Sequence, residues 1–108
     1  MAEMLRVYAE VLEVISELKE AMAVIERKDS DLARQMRRAA ASVALNAAEA
    51  QGSRGRNAAL RFSTALGSMR ETKACLDVAV AMGHIEIVSV QTARKMDGIC
   101  GSLYRLAR

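Results

Sequence analysis

Leu5, Tyr8, Leu12, Ile15, Leu18, Met22 and Ile25 follow one another at steps of three or four residues. At about 3.6 residues per turn, that spacing lays them along one face of an α-helix. The 108-residue chain has no proline to interrupt such a pattern, and only Tyr8, Phe62 and Tyr104 are aromatic. Ala, Leu, Met and Glu favour helices, whereas the aromatic side chains that support sheets are scarce. The expected class is all-α.

Three breaks divide the pattern. "KDSD" (28–31) offers Ser30 as an N-cap and puts Asp31 in the following first turn, where its charge suits the helix dipole. "GSRG" (52–55) closes the second helix through a glycine able to take positive φ, and Gly83 closes the third. The predicted helices cover about 3–27, 31–51, 57–82 and 86–106 within a single domain, 1–108. Connections this short force antiparallel neighbours, so the expected architecture is an up-down-up-down four-helix bundle.

The second helix is thin. Leu32, Met36, Ala39, Val43, Ala47 and Ala50 project together as its core stripe, while Ala41, Ala44 and Ala48 fall nearly opposite, beside Arg34, Arg37 and Arg38. The third helix repeats this pattern, with Phe62, Leu66, Met69 and Leu76 on one side and Leu60, Gly67, Ala74 and Val78 on the other. The second stripes are either a subunit interface, where small residues admit a neighbouring helix, or alanine used only for helix propensity. At 52% hydrophobic, a domain this small has more apolar surface than a monomer easily hides, which favours a homo-oligomer. Gln35, Ser42, Asn46 and Glu49 form a polar seam between the stripes. Such a seam is either a hydrogen-bond network fixing helix register or a ligand site.

Chemistry-bearing motifs are scarce. A di-iron bundle needs Glu-x-x-His pairs, but the one histidine, His84, stands beside Gly83 in a turn. No P-loop, GxSxG or dinucleotide fingerprint occurs, so no enzyme activity, metal or cofactor is expected. Cys75 and Cys100 lack CxxC spacing and read as core residues of a reducing compartment. The opening "MAEMLRVYAEVLEV" is unlike a secretory signal, and no apolar run is long enough to span a bilayer, so a cytoplasmic, soluble protein without membrane attachment is expected.

The run "QMRRAAASVALNAAEAQGSRGRNAALRFSTALGSMRETKACLDVAVAMGHI" resembles, without a gap, the pattern of the bacterial family named for 23S ribosomal RNA intervening sequences. That pattern reads roughly Q-I-R-R-A-A-x-S-I-P-x-N-I-A-E-G, then R-F-L-x-x-A-L-G-S-L-x-E. Gln35, Arg37, Arg38, Ser42, Asn46 and Glu49 match its first half; Arg61, Phe62, Leu66, Gly67, Ser68 and Glu71 match its second. Ala44 and Ala50 depart from the usual proline and glycine, and the loop before the second helix also lacks the usual proline. The family is similar to the accessory variability determinant proteins of diversity-generating retroelements, five-membered rings that bind nucleic acid and a reverse transcriptase. The resemblance therefore implies a homopentameric ring of four-helix bundles.

Charge is unevenly spread. Residues 1–31 carry four basic and eight acidic side chains, net −4, whereas residues 32–108 carry twelve basic and five acidic, net +7. Arg34, Arg37, Arg38, Arg54 and Arg56 are the candidate nucleic-acid contacts, and repetition around a ring would multiply their field. Without aromatics on that face, phosphate contact is expected to dominate over base stacking. The expected function is a non-enzymatic accessory protein contacting structured RNA, DNA or an RNA–reverse transcriptase complex. The alternative is a protein-interaction scaffold whose arginines serve subunit contacts.

Overall fold

The computed structural model describes residues 2–108, and among them five helices and no strand occur: α1 Ala2–Glu17, α2 Lys19–Lys28, α3 Ser30–Gln51, α4 Gly55–Ala81 and α5 Val90–Leu106. The first predicted helix is thus two. Leu18 interrupts the regular helix without stopping the chain's course, since its N–H still reaches the Val14 and Ile15 carbonyls and its own carbonyl accepts from Met22.

The buried line of α1 also differs from the expected one. Val7, Val11 and Val14 are its buried residues, whereas Leu5 and Leu12 remain 52% and 45% exposed, with Tyr8 and Ile15 half-buried. The leucines lie about 140° around the helix from the valines. α1 is apolar over a wide arc, and its position against α3 and α5 turns the valines inward. From Leu18 onward the expected line holds, through Met22 and Ile25.

Helix boundaries follow the capping groups. Asp29, rather than Ser30, caps α3, its Oδ1 accepting from the Leu32 N–H at 3.0 Å. Gly52 ends α3 at φ −91°, so the positive-φ glycine of this connection is Gly55, at the opening of α4. Gly83, with φ +77°, closes α4 as expected: the His84 N–H returns to Ala79 O at 2.8 Å and the Gly83 N–H to Val80 O at 3.0 Å. α5 begins four residues later than predicted because Ser89, whose Oγ accepts from the Thr92 N–H at 3.1 Å, supplies the N-cap.

α1 packs on α3 and α5, α2 on α3, α3 on α4, and α4 on α5. Met36, Met69, Met96, Ile99 and Leu103 are fully buried in the core with the α1 valines. The molecule measures 42 × 25 × 18 Å. The 27 residues of α4 run about 40 Å at the helical rise. The α3–α4 and α4–α5 connections therefore lie at opposite ends.

Candidate nucleic-acid interface

α3 owes its slenderness to alanines facing inward. Ala33, Ala39, Ala40, Ala44, Ala47 and Ala50 are buried with Met36 and Val43. Small side chains let α4 and α2 approach closely, and α3 makes its most extensive contact with α4. Ala44, read from sequence as an interface residue, belongs to this core. It stands on the edge of the buried arc, which the contacts of α1 and α2 with α3 widen beyond what one core stripe would occupy. Of its companions, Ala41 is exposed and Ala48 half-buried.

The α4 stripe is where the sequence placed it. Leu60, Gly67, Ala74 and Val78 all face outward, with Leu60 65% exposed. Leu45 on α3, 66% exposed, adds a further large aliphatic side chain. A Cβ built on Gly67 meets nothing within 4 Å, so no contact inside the protomer requires glycine at this mid-helix position.

The polar seam joins α3 to α4. One of the Ser42 and Ser68 hydroxyls donates to the other at 2.7 Å. Asn46 Nδ2 donates to the Ser42 carbonyl at 2.9 Å and to its Oγ at 3.1 Å, while Arg61 donates to Asn46 Oδ1 at 3.4 Å. Arg61 also lies 3.5 Å from the Glu49 carboxylate, and Gln35 donates to Glu71 at 3.4 Å. Thr72, buried behind this line, donates to the Ser68 carbonyl at 2.9 Å. Hydrogen bonds along the seam thus link α3 to α4 within one chain. The seam's partners on α4 went unassigned from sequence, although Arg61, Ser68 and Glu71 stand in the motif and have helical spacing.

The arginines do not gather at one point. Arg34 and Arg38 stand on early turns of α3, whereas Arg54 and Arg56 lie beyond its far end. Arg38 is thus separated from the α3–α4 connection by about 20 Å of helix. Arg34 meets Asp31 at 3.1 Å in a highly exposed i,i+3 pair, which contributes little. Arg38, Arg54 and Arg56 are exposed and form no ion pair among the described residues.

Arg37 is engaged differently. Its guanidinium lies 2.6 Å from Glu26 on α2, and that hydrogen-bonded pair lowers the Glu26 pKa and raises that of Arg37. The side chain assigned from sequence to phosphate ties two helices of its own chain together. Near the far arginines, α4 begins at Gly55; Arg54, at the N-cap position, makes no side-chain cap hydrogen bond, and the first turn has no acidic residue. Its free N–H groups add to the positive potential there.

No group of three or more His, Cys, Asp or Glu side chains able to hold a metal occurs among the described residues. Burial pushes both the Cys75 and Cys100 thiols above their ordinary pKa, away from thiolate reactivity. No helix among the described residues is long and apolar enough to cross a membrane.

The family model described as 23S rRNA-intervening sequence protein matches residues 3–104. The chain belongs to that family. The match includes α1 and most of α5, beyond the motif of α3 and α4. A crystal structure of a protein of unknown function from the S23 ribosomal protein family of Bacteroides thetaiotaomicron has a similar fold, with a TM-score of 0.65 and 17% identity over 94% of this chain and 91% of that one. No curated protein matches the chain. For this intervening-sequence family member, the seam accounts for many of the motif's polar positions through contacts within one protomer.

Proposed function

We propose that this protein is a non-enzymatic nucleic-acid-binding accessory protein, presenting arginines to structured RNA or an RNA–reverse transcriptase complex. The observation that carries this reading is the set of exposed cations without carboxylate partners, Arg38, Arg54 and Arg56, joined by Arg34 in its weak surface pair. Strung along the outer side of α3 and the start of α4, they suit successive phosphates along a backbone better than one isolated anion. The uncapped start of α4 between Arg54 and Arg56 offers backbone donors to the same backbone. The family's name, which refers to 23S ribosomal RNA, is in keeping with an RNA partner.

In this proposal the protomer is a four-helix bundle in which α1 and α2 act as one bent rod. The bundles assemble into a homo-oligomeric ring, a pentamer in the favoured form, through the outward face carrying Leu60, Gly67, Ala74 and Val78. Ala41 and Ala48 border that face on α3. Its exposed aliphatic groups and unneeded glycine support the assembly reading.

The decisive experiment replaces Arg34, Arg38, Arg54 and Arg56 together by Ser and measures binding to an RNA hairpin over a salt series. Ring mass and helicity are expected to persist, while affinity falls and the salt slope shrinks by up to about one per lost phosphate contact. Parental affinity and slope would remove the nucleic-acid role of this face. Dissociation into monomers would make the arginines subunit contacts and favour a protein-interaction scaffold.

A further inference from the structure

The end of the molecule remote from Arg54 and Arg56 has the opposite character. After the glycine turn that closes α4, residues 84–89 cross to the start of α5. Ile85 and Val88 pack against the core, but Ile87 between them is 82% exposed. Met82 and Val90 on either side are also mostly exposed, making this an apolar end of the molecule.

Ile87 stands between two hollows. One, of about 480 Å³, lies against Leu18, Ala21 and Val24 at the α1–α2 joint. The other, of about 200 Å³, lies against Leu76, Ala93 and Met96 between α4 and α5. Glu20 and Glu86 border the first and Asp77 the second. None of these three carboxylates forms an ion pair among the described residues; Lys73, which lines the second hollow with Asp77, is paired with Asp97, and Lys95 with Glu17. Exposed aliphatics, hollows of side-chain size and unneutralised carboxylates thus coincide on one surface.

We propose that this end docks a basic amphipathic segment of a partner protein. Its apolar side chains enter the hollows beside Ile87, and its Lys or Arg side chains reach Glu20, Glu86 and Asp77. Charge complementarity selects this occupant. Phosphate backbones and anionic membrane surfaces are repelled by the same carboxylates, whereas a cationic helix gains at each of them. The surface lies at the end remote from Arg54 and Arg56, and neither hollow is lined by Arg34 or Arg38.

The test uses fluorescence anisotropy of the full chain with a labelled helical peptide of Leu and Lys and a Leu/Glu counterpart. The chain's net charge of +3 gives the Leu/Lys peptide no general attraction, so its binding reports a local acidic surface. The Leu/Lys peptide is expected to bind, with at least about tenfold preference over Leu/Glu, and to increase amide protection over residues 84–90. The double variant Glu20→Lys with Glu86→Lys, and separately Ile87→Ser, should each weaken binding about tenfold or more. These positions are exposed, so unchanged thermal unfolding is the control for folding. Equal binding of both peptides, or parental affinity in the variants, would overturn the proposal. A change in the chain's own oligomeric mass in these variants would also overturn it, by making this end a contact between copies.

Discussion

Ser42 on α3 and Ser68 on α4 meet hydroxyl to hydroxyl at 2.7 Å, and Asn46 donates to the same Ser42 oxygen. This pair is the centre of the seam that sets α3 against α4. Removing one hydroxyl leaves the other short of a partner, at a cost of about 1–3 kcal/mol. Ser42→Ala and Ser68→Ala combined should therefore cost less than their separate losses added together. Chemical unfolding of the four species of a double-mutant cycle checks this, with a coupling of about 1 kcal/mol expected and strict additivity counting against it.

The corrected line of α1 makes a simple contrast. Val11→Ala removes atoms from the core and should destabilise by about 1–3 kcal/mol, whereas Leu12→Ala should stay within about 0.5 kcal/mol in the monomer. Thermal and urea unfolding of the two variants distinguish the buried valine line from the leucine line expected from sequence.

Gly67 offers a way to separate folding from the proposed assembly. A Cβ there enters open space, so Gly67→Ala should raise protomer stability by about 1 kcal/mol through helix propensity. Gly67→Arg should leave the protomer folded while breaking assembly through the α4 face, and Ala41→Glu should act in the same direction. Light scattering at micromolar concentration, alongside circular dichroism, reads both properties; unchanged mass in Gly67→Arg and Ala41→Glu would move the interface elsewhere.

Glu17 gives a pH dependence of known sign. Hydrogen bonds from Lys95 at 2.5 Å and Thr92 at 2.6 Å lower its pKa below the ordinary 4.5. Stability from this carboxylate is fully present above its unfolded value and is lost as pH falls through the folded one. Glu17→Gln should therefore lower Tm at neutral pH, and the gap from the parent should narrow as pH drops below about 4.5. A constant gap across that range would show that the charge of Glu17 is not what joins α1 to α5.

Arg37 and Glu26 should behave as a structural pair. Arg37→Ala is expected to change unfolding more than RNA affinity, and Glu26→Ala to change unfolding in the same direction. Arg38→Ala should do the reverse. Parallel hairpin binding and melting measurements check this; if Arg37→Ala lost as much RNA affinity as Arg38→Ala, without a change in melting, Arg37 would return to the binding face.

The sequence alone was enough for the all-α class, the course of α3 and α4 and the family motif, because these rest on local periodicity and on side chains with few alternative uses. Phe62, Leu66, Met69 and Leu76 could be placed inside, and Leu60, Gly67, Ala74 and Val78 outside, since each set keeps helical spacing on its own side of α4. Tertiary structure decided what periodicity leaves degenerate. In α1 both the valines and the leucines repeat like a core face, and only the positions of α3 and α5 select the valines. Ala44 looked like surface on an isolated helix, but a helix contacted from several sides has a wider buried arc. The partners of Arg37 and Glu17 were equally hidden: Glu26 lies on another helix, and Lys95 is 78 residues further along the chain. Ion pairs between helices depend on where packing brings their ends and faces together, which no local sequence pattern records.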